Sequence, residues 1–291
     1  MAAAGQQTAL PAGRRMPVPF QLTAYNNIAV RAVLNEKDTL QLMFHTAANA
    51  LTVTAEAAKQ ISTLHFDGAA DSVKSWGGQA NTSRLSKHNR LQLAGLQWQQ
   101  VPVWENLNSG QETAGKFGID LFENRVIEID FDHSVIVIHT HLPRKVKKYE
   151  QLPLIFENDN MFIEAACIID GQPVKNRFLI HSGYSGAVLL DDRFVKENAV
   201  GDRLPITGEK ELKDSFGNSV KVRKACLPGL QIGKVKLLQV PAGFFEGAIG
   251  RQKISILGGD VLKRFNIIID AQRKFIYLQP GRFTTVPYLG N

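Results

Sequence analysis

With two cysteines in 291 residues, Cys167 and Cys226, the chain cannot build a disulfide framework, and both read as buried free thiols. It has no Cys-x-x-Cys pair, no Gly-rich phosphate loop and no Gly-x-Ser-x-Gly elbow, which removes zinc ribbons, P-loop nucleotide chemistry and α/β-hydrolase chemistry from consideration. No apolar run approaches the roughly 20 residues that a membrane-spanning helix needs. The opening Met1-Ala-Ala-Ala-Gly-Gln-Gln-Thr has no apolar core, so it does not read as an intact signal peptide, although it fits the stub left after one is removed. Helical periodicity is scarce, with residues 55–60 and 192–197 the best short candidates.

Apolar residues at 44% and charged residues at 21% fit a globular chain with a real core. Lys and Arg exceed Asp and Glu by 34 − 27 = 7, but the basic residues are scattered. Their densest run, Arg144-Lys145-Val146-Lys147-Lys148, adjoins Pro143 and reads as a solvated linker. No cluster of basic and aromatic residues suggests nucleic-acid binding.

Strand patterns dominate. Ile28–Leu34 and Thr39–Phe44 flank a turn, as do Val126–Phe131 and Val135–Ile138. The second half repeats the order with Phe162–Ile169, Arg177–Ile180, Phe265–Asp270 and Lys274–Leu278. The two halves then align residue by residue. Gly118, Asp120, Ile127, Ile129, Asp130 and Ile136 fall on Gly258, Asp260, Ile267, Ile269, Asp270 and Ile276, all 140 positions on. The chain is a duplicated unit. We expect a disordered tail over 1–16, one β lobe over 17–142, a link over 143–153 and a second β lobe over 154–291.

Carrying the alignment backward brings Leu42-Met-Phe-His45-Thr46-Ala47 onto Phe178-Leu-Ile-His181-Ser182-Gly183, now 136 apart. Each copy is an apolar strand, then His, a small hydroxyl residue, a small residue and a tight turn. Here the chain resembles the two-lobed aspartyl protease family of Bacteroidetes-type bacteria, over roughly residues 20 to 282. Those proteins carry Asp-Thr/Ser-Gly at the end of an apolar strand in each half, with an apolar-apolar-Gly segment later. His181-Ser182-Gly183 fits with one change, and Ile256-Leu257-Gly258 supplies the later segment. His45-Thr46-Ala47 departs further, lacking both Asp and Gly. The resemblance implies an all-β, bilobal, pepsin-like fold with a central cleft, and export from the bacterial cytoplasm.

The departure falls on the chemistry. Paired carboxylates share one proton, and this lets one activate water while the other polarises a carbonyl. Two imidazoles cannot repeat that cycle, because their larger rings intrude on the space of the shared water, and repulsion leaves at most one of them protonated near neutral pH. Only 7 of 291 residues are His, so the same replacement at both positions argues for a use. Three uses are open: metal binding, with zinc or another transition metal and Asn49 or Tyr184 as weak third ligands; acid–base catalysis on another bond; or a structural contact between lobes. No cofactor is otherwise expected. Thr46 and Ser182 would hold the two turns together, as the resemblance implies, and Gly183 permits the second turn.

Two further segments, around Trp76-Gly77-Gly78 and Phe216-Gly217-Asn218, read either as lids whose aromatics stack on a ligand or as ordinary hairpins. The expected binding set is therefore Thr46, Ser182, Gly183, Tyr184, Trp76 and Phe216 around His45 and His181. The expected partner is a peptide or other extended chain. His139 and His141 share a strand end, where they form either a metal site or a solvated terminus, and His65, His88 and His133 read as surface residues. Asp120, Asp130, Asp260 and Asp270 read as capping and turn residues.

Overall fold

A computed structural model describes residues 6–7, 15–73, 81–107, 111–213, 219–245 and 252–289. Among them the protein is almost wholly β, with helices of no more than six residues. Thr54 and Asp191 start two of these helices by accepting the Ala57 and Phe194 amides on their side chains. They correspond to the two short helices expected from the sequence. No helix of the described residues is long and apolar enough to cross a membrane.

Two sheets carry the two lobes. The first has 14 strands and the second has eight, running from Ile155–Glu157 at one edge to Ile206–Lys213 at the other. Each lobe repeats one arrangement, and that repetition places the site. In the first lobe Leu42, Met43 and Phe44 lie parallel to Gly115, Lys116 and Phe117. In the second, Phe178, Leu179, Ile180 and His181 lie parallel to Ser255, Ile256, Leu257 and Gly258. A further parallel contact follows each motif, Leu51–Thr54 beside Val103–Asn106 and Val188–Leu189 beside Ala242–Gly243. Parallel pairs need crossover connections, so the chain must leave and return between each motif and its Gly-containing partner strand.

Where the halves meet, equivalent strands pair with each other. Val126–Asp130 runs antiparallel to Phe265–Ile269, with Ile127 opposite Ile269, Glu128 opposite Ile268 and Ile129 opposite Ile267. Glu128 and Ile268 are 140 positions apart, so each is the other's counterpart and the local two-fold passes between them. The stretch read as a link is itself built into this region. Arg144–Lys148 forms a 3₁₀ turn, and Glu150–Pro153 pairs with the final strand Phe275–Pro280. Gln6–Gln7, within the span read as a tail, pairs with Gln99 and Trp98.

The strand interiors explain the packing. Ile28–Leu34, for example, buries Ile28, Val30, Ala32 and Leu34 and exposes Arg31, the alternation of a strand with one face on a core. One apolar cluster runs through both lobes, and a smaller one forms around Phe162, Leu179, Leu189, Val222, Phe245 and Ile256. Cys167 is buried and Cys226 half-buried, and both are free thiols.

Candidate functional site

His45 follows the strand Asp38–Phe44 directly, and His181 ends the strand Gln172–His181. Both backbones then turn in the same way. The Ala48 N–H donates to the His45 carbonyl at 3.0 Å, and the Tyr184 N–H donates to the His181 carbonyl at 3.1 Å. The turns are locked together across the junction of the lobes. Thr46 Oγ1 donates to the Ile180 carbonyl at 2.7 Å and accepts the Ser182 amide at 3.0 Å. Ser182 Oγ donates to the Phe44 carbonyl at 2.8 Å and accepts the Thr46 amide at 3.0 Å. Four bonds in a closed, nearly symmetric set satisfy every group involved. Both residues are almost fully buried, so none of these partners can be replaced by solvent.

This grip brings the two imidazoles edge to face, with centroids 4.5 Å apart and planes at 62°. His45 is 7% exposed, whereas His181 is half-buried and reaches the surface in part. His45 Nδ1 accepts the Ala47 amide at 3.1 Å, which leaves the proton of the neutral ring on Nε2. His181 Nδ1 is buried without a hydrogen-bond partner. Burial holds the His45 imidazole well below its ordinary value, with His181 and Lys116 adding to the effect. Burial and Lys116 bring His181 down to about 4. Near neutral pH both rings are therefore uncharged.

Lys116 is the functional candidate that strand alternation misses. It is half-buried, and burial pushes its ammonium down from the usual lysine value. Its Cα partner is Met43, two residues before His45, so Lys116 and His45 share a face. The alignment of the halves does contain a signal: 140 positions on from Lys116 stands Ile256. Ile256 partners Leu179, two residues before His181, and both belong to the smaller apolar cluster. On the face of His181 the strand register sets Leu179 and Ile256; on the face of His45 it sets Met43 and Lys116.

Of the remaining expected site residues, Gly183 lies under His45, and a Cβ built on it would come within 2.4 Å of Nε2. Tyr184 folds back into its own lobe. Hypothetical Cβ atoms on Gly186, Gly243 and Gly258 would all meet its ring or hydroxyl, and burial raises its phenol to about 12. Asn49 reaches across to Asp159 of the other lobe at 3.5 Å. Trp76 and Phe216 lie outside the described residues.

The four aspartates divide. Asp130 and Asp270 accept amides within their turns, from His133 in one case and from Lys274 and Phe275 in the other. Asp260 is fully buried and neutralised by Lys263 at 2.9 Å and Arg264 at 3.5 Å. Asp120 has Glu123 and Asn124 at those two positions instead. Burial pushes its carboxyl up to about 6, and its Oδ1 is buried without a partner. His139 and His141 are not brought together as ligands: His139 Nε2 bonds Glu128 at 2.8 Å, and His141 Nδ1 bonds the Thr140 hydroxyl.

Among the described residues no group of three His, Cys, Asp or Glu side chains could hold a metal. The two imidazoles are an incomplete set, and a neighbouring ammonium opposes any cation placed between them.

Comparison with known proteins agrees with this geometry at the level of the fold. No family model matches the chain, and no curated protein sequence matches it. Among solved structures it is similar to the aspartic proteinase from Irpex lacteus, with a TM-score of 0.61 and 13% identity over 94% of this chain and 99% of that one. The bilobal aspartic-proteinase fold is therefore present over nearly the whole chain.

Proposed function

We propose that this protein is a pseudoprotease, which binds a peptide or other extended chain between its lobes and does not cleave it by the aspartic mechanism. The observation that carries the reading is the contrast between neighbours. Thr46 and Ser182 keep the closed four-bond grip that aligns the two turns, while the residues just before them are neutral imidazoles. The lock between the two turns supports a retained ligand-holding role for the lobe junction, but the shared proton of a carboxyl pair has no counterpart. Main-chain hydrogen bonds along a strand-built groove can hold an extended chain without any reactive group. The resemblance to exported bacterial relatives extends the proposal to a setting outside the cytoplasm.

A second reading has one observation in its favour. His181 Nδ1 has no hydrogen-bond partner, and as a base in hydrolysis it would take a proton from a bound water or hydroxyl. One experiment separates the two readings: saturable binding and cleavage of unstructured decapeptide pools by the full chain, between about pH 3 and 8. The pseudoprotease reading expects binding with no cleavage, and acid-pH cleavage only after His45→Asp and His181→Asp are combined. Cleavage by the wild type that disappears in His45→Ala and in His181→Ala alike would replace it with the hydrolase.

A further inference from the structure

The outer face of the sheet that joins the lobes is covered by the link on one side of the local two-fold and open on the other. On the covered side Val126, Ile268 and Tyr277 pack with Val146 and Tyr149 of the link. The counterpart of Tyr277, 140 positions earlier, is Val137, and the counterpart of Ile268 is Glu128. Around Val137 the described residues form no such cover. They line a groove of about 690 Å³, the size of a small-molecule site.

Strand register decides what lines it. Val137 stands opposite Glu128 in one neighbouring strand and Pro17 in the other, and Val135 stands opposite Asp130. Cross-strand partners point to the same face, so Pro17, Val135 and Val137 give the groove an apolar strip beside two carboxylates. Both carboxylates are already matched within this chain. Glu128 is 1% exposed; its Oε2 bonds His139 Nε2 at 2.8 Å, and its Oε1 pairs with the Lys145 ammonium. Burial would raise the Glu128 carboxyl, but His139 and Lys145 hold it below its ordinary value. Asp130 bonds His133 at 3.0 Å and lies 3.7 Å from the same ammonium. The groups left facing solvent are basic. Lys145 keeps 44% of its side chain exposed, and Arg15 is exposed at the rim with no ion-pair partner among the described residues.

We propose that this groove is a second binding site, which takes a small organic anion with its apolar body against Pro17, Val135 and Val137 and its charged group beside Arg15 and Lys145. A cation would find both carboxylates already engaged by the protein's own ammonium and imidazoles. An anion meets a guanidinium with a planar fork of donors and an ammonium with three. The packing of Tyr149 on the covered side shows that this face accepts an aromatic ring. Neither His45 nor His181 lines the groove, so the inference stands apart from the reading of the lobe junction.

The test is an NMR titration of the full chain that follows the Val135 and Val137 methyls and the His139 imidazole. Phenylacetate is compared with its neutral isostere phenylacetamide and with phenethylamine, at equal ionic strength. Phenylacetate should shift these resonances saturably and leave those of His45 and His181 in place. Benzyl phosphate is the second anionic arm, and the tighter of the two anions identifies the charged group. Arg15→Gln should weaken anion binding about fivefold, the upper range for an exposed charge pair, at an unchanged melting temperature. Arg15→Lys should keep most of it. Equal binding of the amide or the amine overturns the inference, as does wild-type affinity in Arg15→Gln or the absence of any shift with both anions. Contacts of the Val135 and Val137 methyls with another segment of this chain in the free protein also overturn it, since the groove would then be filled from within.

Discussion

The Cα of Gly183 lies beneath the imidazole of His45, so close that a Cβ there would sit 2.3 Å from Cδ2 and 2.4 Å from Nε2. The residue that shapes the second turn thus also makes room for the first lobe's ring. Gly183→Ala forces the ring or a backbone segment to move, and overpacking of this kind costs about 1–3 kcal/mol. We expect a lower urea midpoint and displaced His45 ring resonances. A variant with wild-type values for both would show that the ring does not rest on that turn.

Thr46→Val keeps the shape and deletes the hydroxyl. The Ser182 amide and the Ile180 carbonyl would then be buried without partners, at a cost of roughly 2–4 kcal/mol. Thr46→Ser keeps both bonds and should lose under about 1 kcal/mol. Because the Thr46 and Ser182 bonds form one closed set, the Thr46→Val/Ser182→Ala double variant should fall short of the sum of the singles in chemical denaturation.

Stability should depend on pH through two groups of opposite sign. His181 is brought from 6.5 to about 4 by burial and Lys116, so the unfolded chain holds its proton more tightly. Stability from this residue is complete above pH 6.5 and is lost as pH falls toward 4, by on the order of 3 kcal/mol. His45 acts in the same direction. Asp120 is raised from 3.8 to about 6 by burial, so the folded chain holds its proton more tightly, and stability from it is lost as pH rises through 6. Between pH 6 and 4 the two oppose each other. Asp120→Asn should steepen the acid loss and His181→Asn should flatten it; unchanged slopes in both would show that neither group is buried as described.

Asp260 and Asp120 are counterparts with unequal roles. Asp260 neutralises Lys263 and Arg264 in a fully buried position and accepts the Leu289 amide on Oδ2. Asp260→Ala leaves two buried cations without their counter-charge, so a loss of about 3–5 kcal/mol is expected in thermal or urea unfolding. Asp120→Ala removes a carboxyl with no basic neighbour at the equivalent positions and should be near neutral at pH 7. Equal costs would contradict this asymmetry.

The duplicated fold is legible in the sequence because strand ends impose residue types. Gly118 and Gly258 are needed where backbone passes at close range, since a Cβ on either would fall about 2 Å from a carbonyl oxygen, Ala48 in one case and Gly186 in the other. That requirement survives when most aliphatics drift. The meeting of His45 and His181 follows from the same register. Lys116 is harder to see, because a lysine between Gly115 and Phe117 looks like the polar member of an alternating strand. Only its alignment with Ile256 shows that the face it occupies is an inner one. Tyr184 is legible as part of the motif but not in its direction, which depends on the space that Gly186, Gly243 and Gly258 leave for its ring. Contacts such as Gln6–Gln7 against Gln99 and Trp98 have no periodic signature at all.

The pairing of Glu128 with its own counterpart Ile268 has a consequence for the molecule's history and handling. Neither half owns a complete sheet there, because the edge of each is closed by the matching strand of its twin. Expressed separately, each half would present a bare ladder of N–H and C=O groups and so invite aggregation or pairing with itself. The covalent join makes that encounter internal and inescapable.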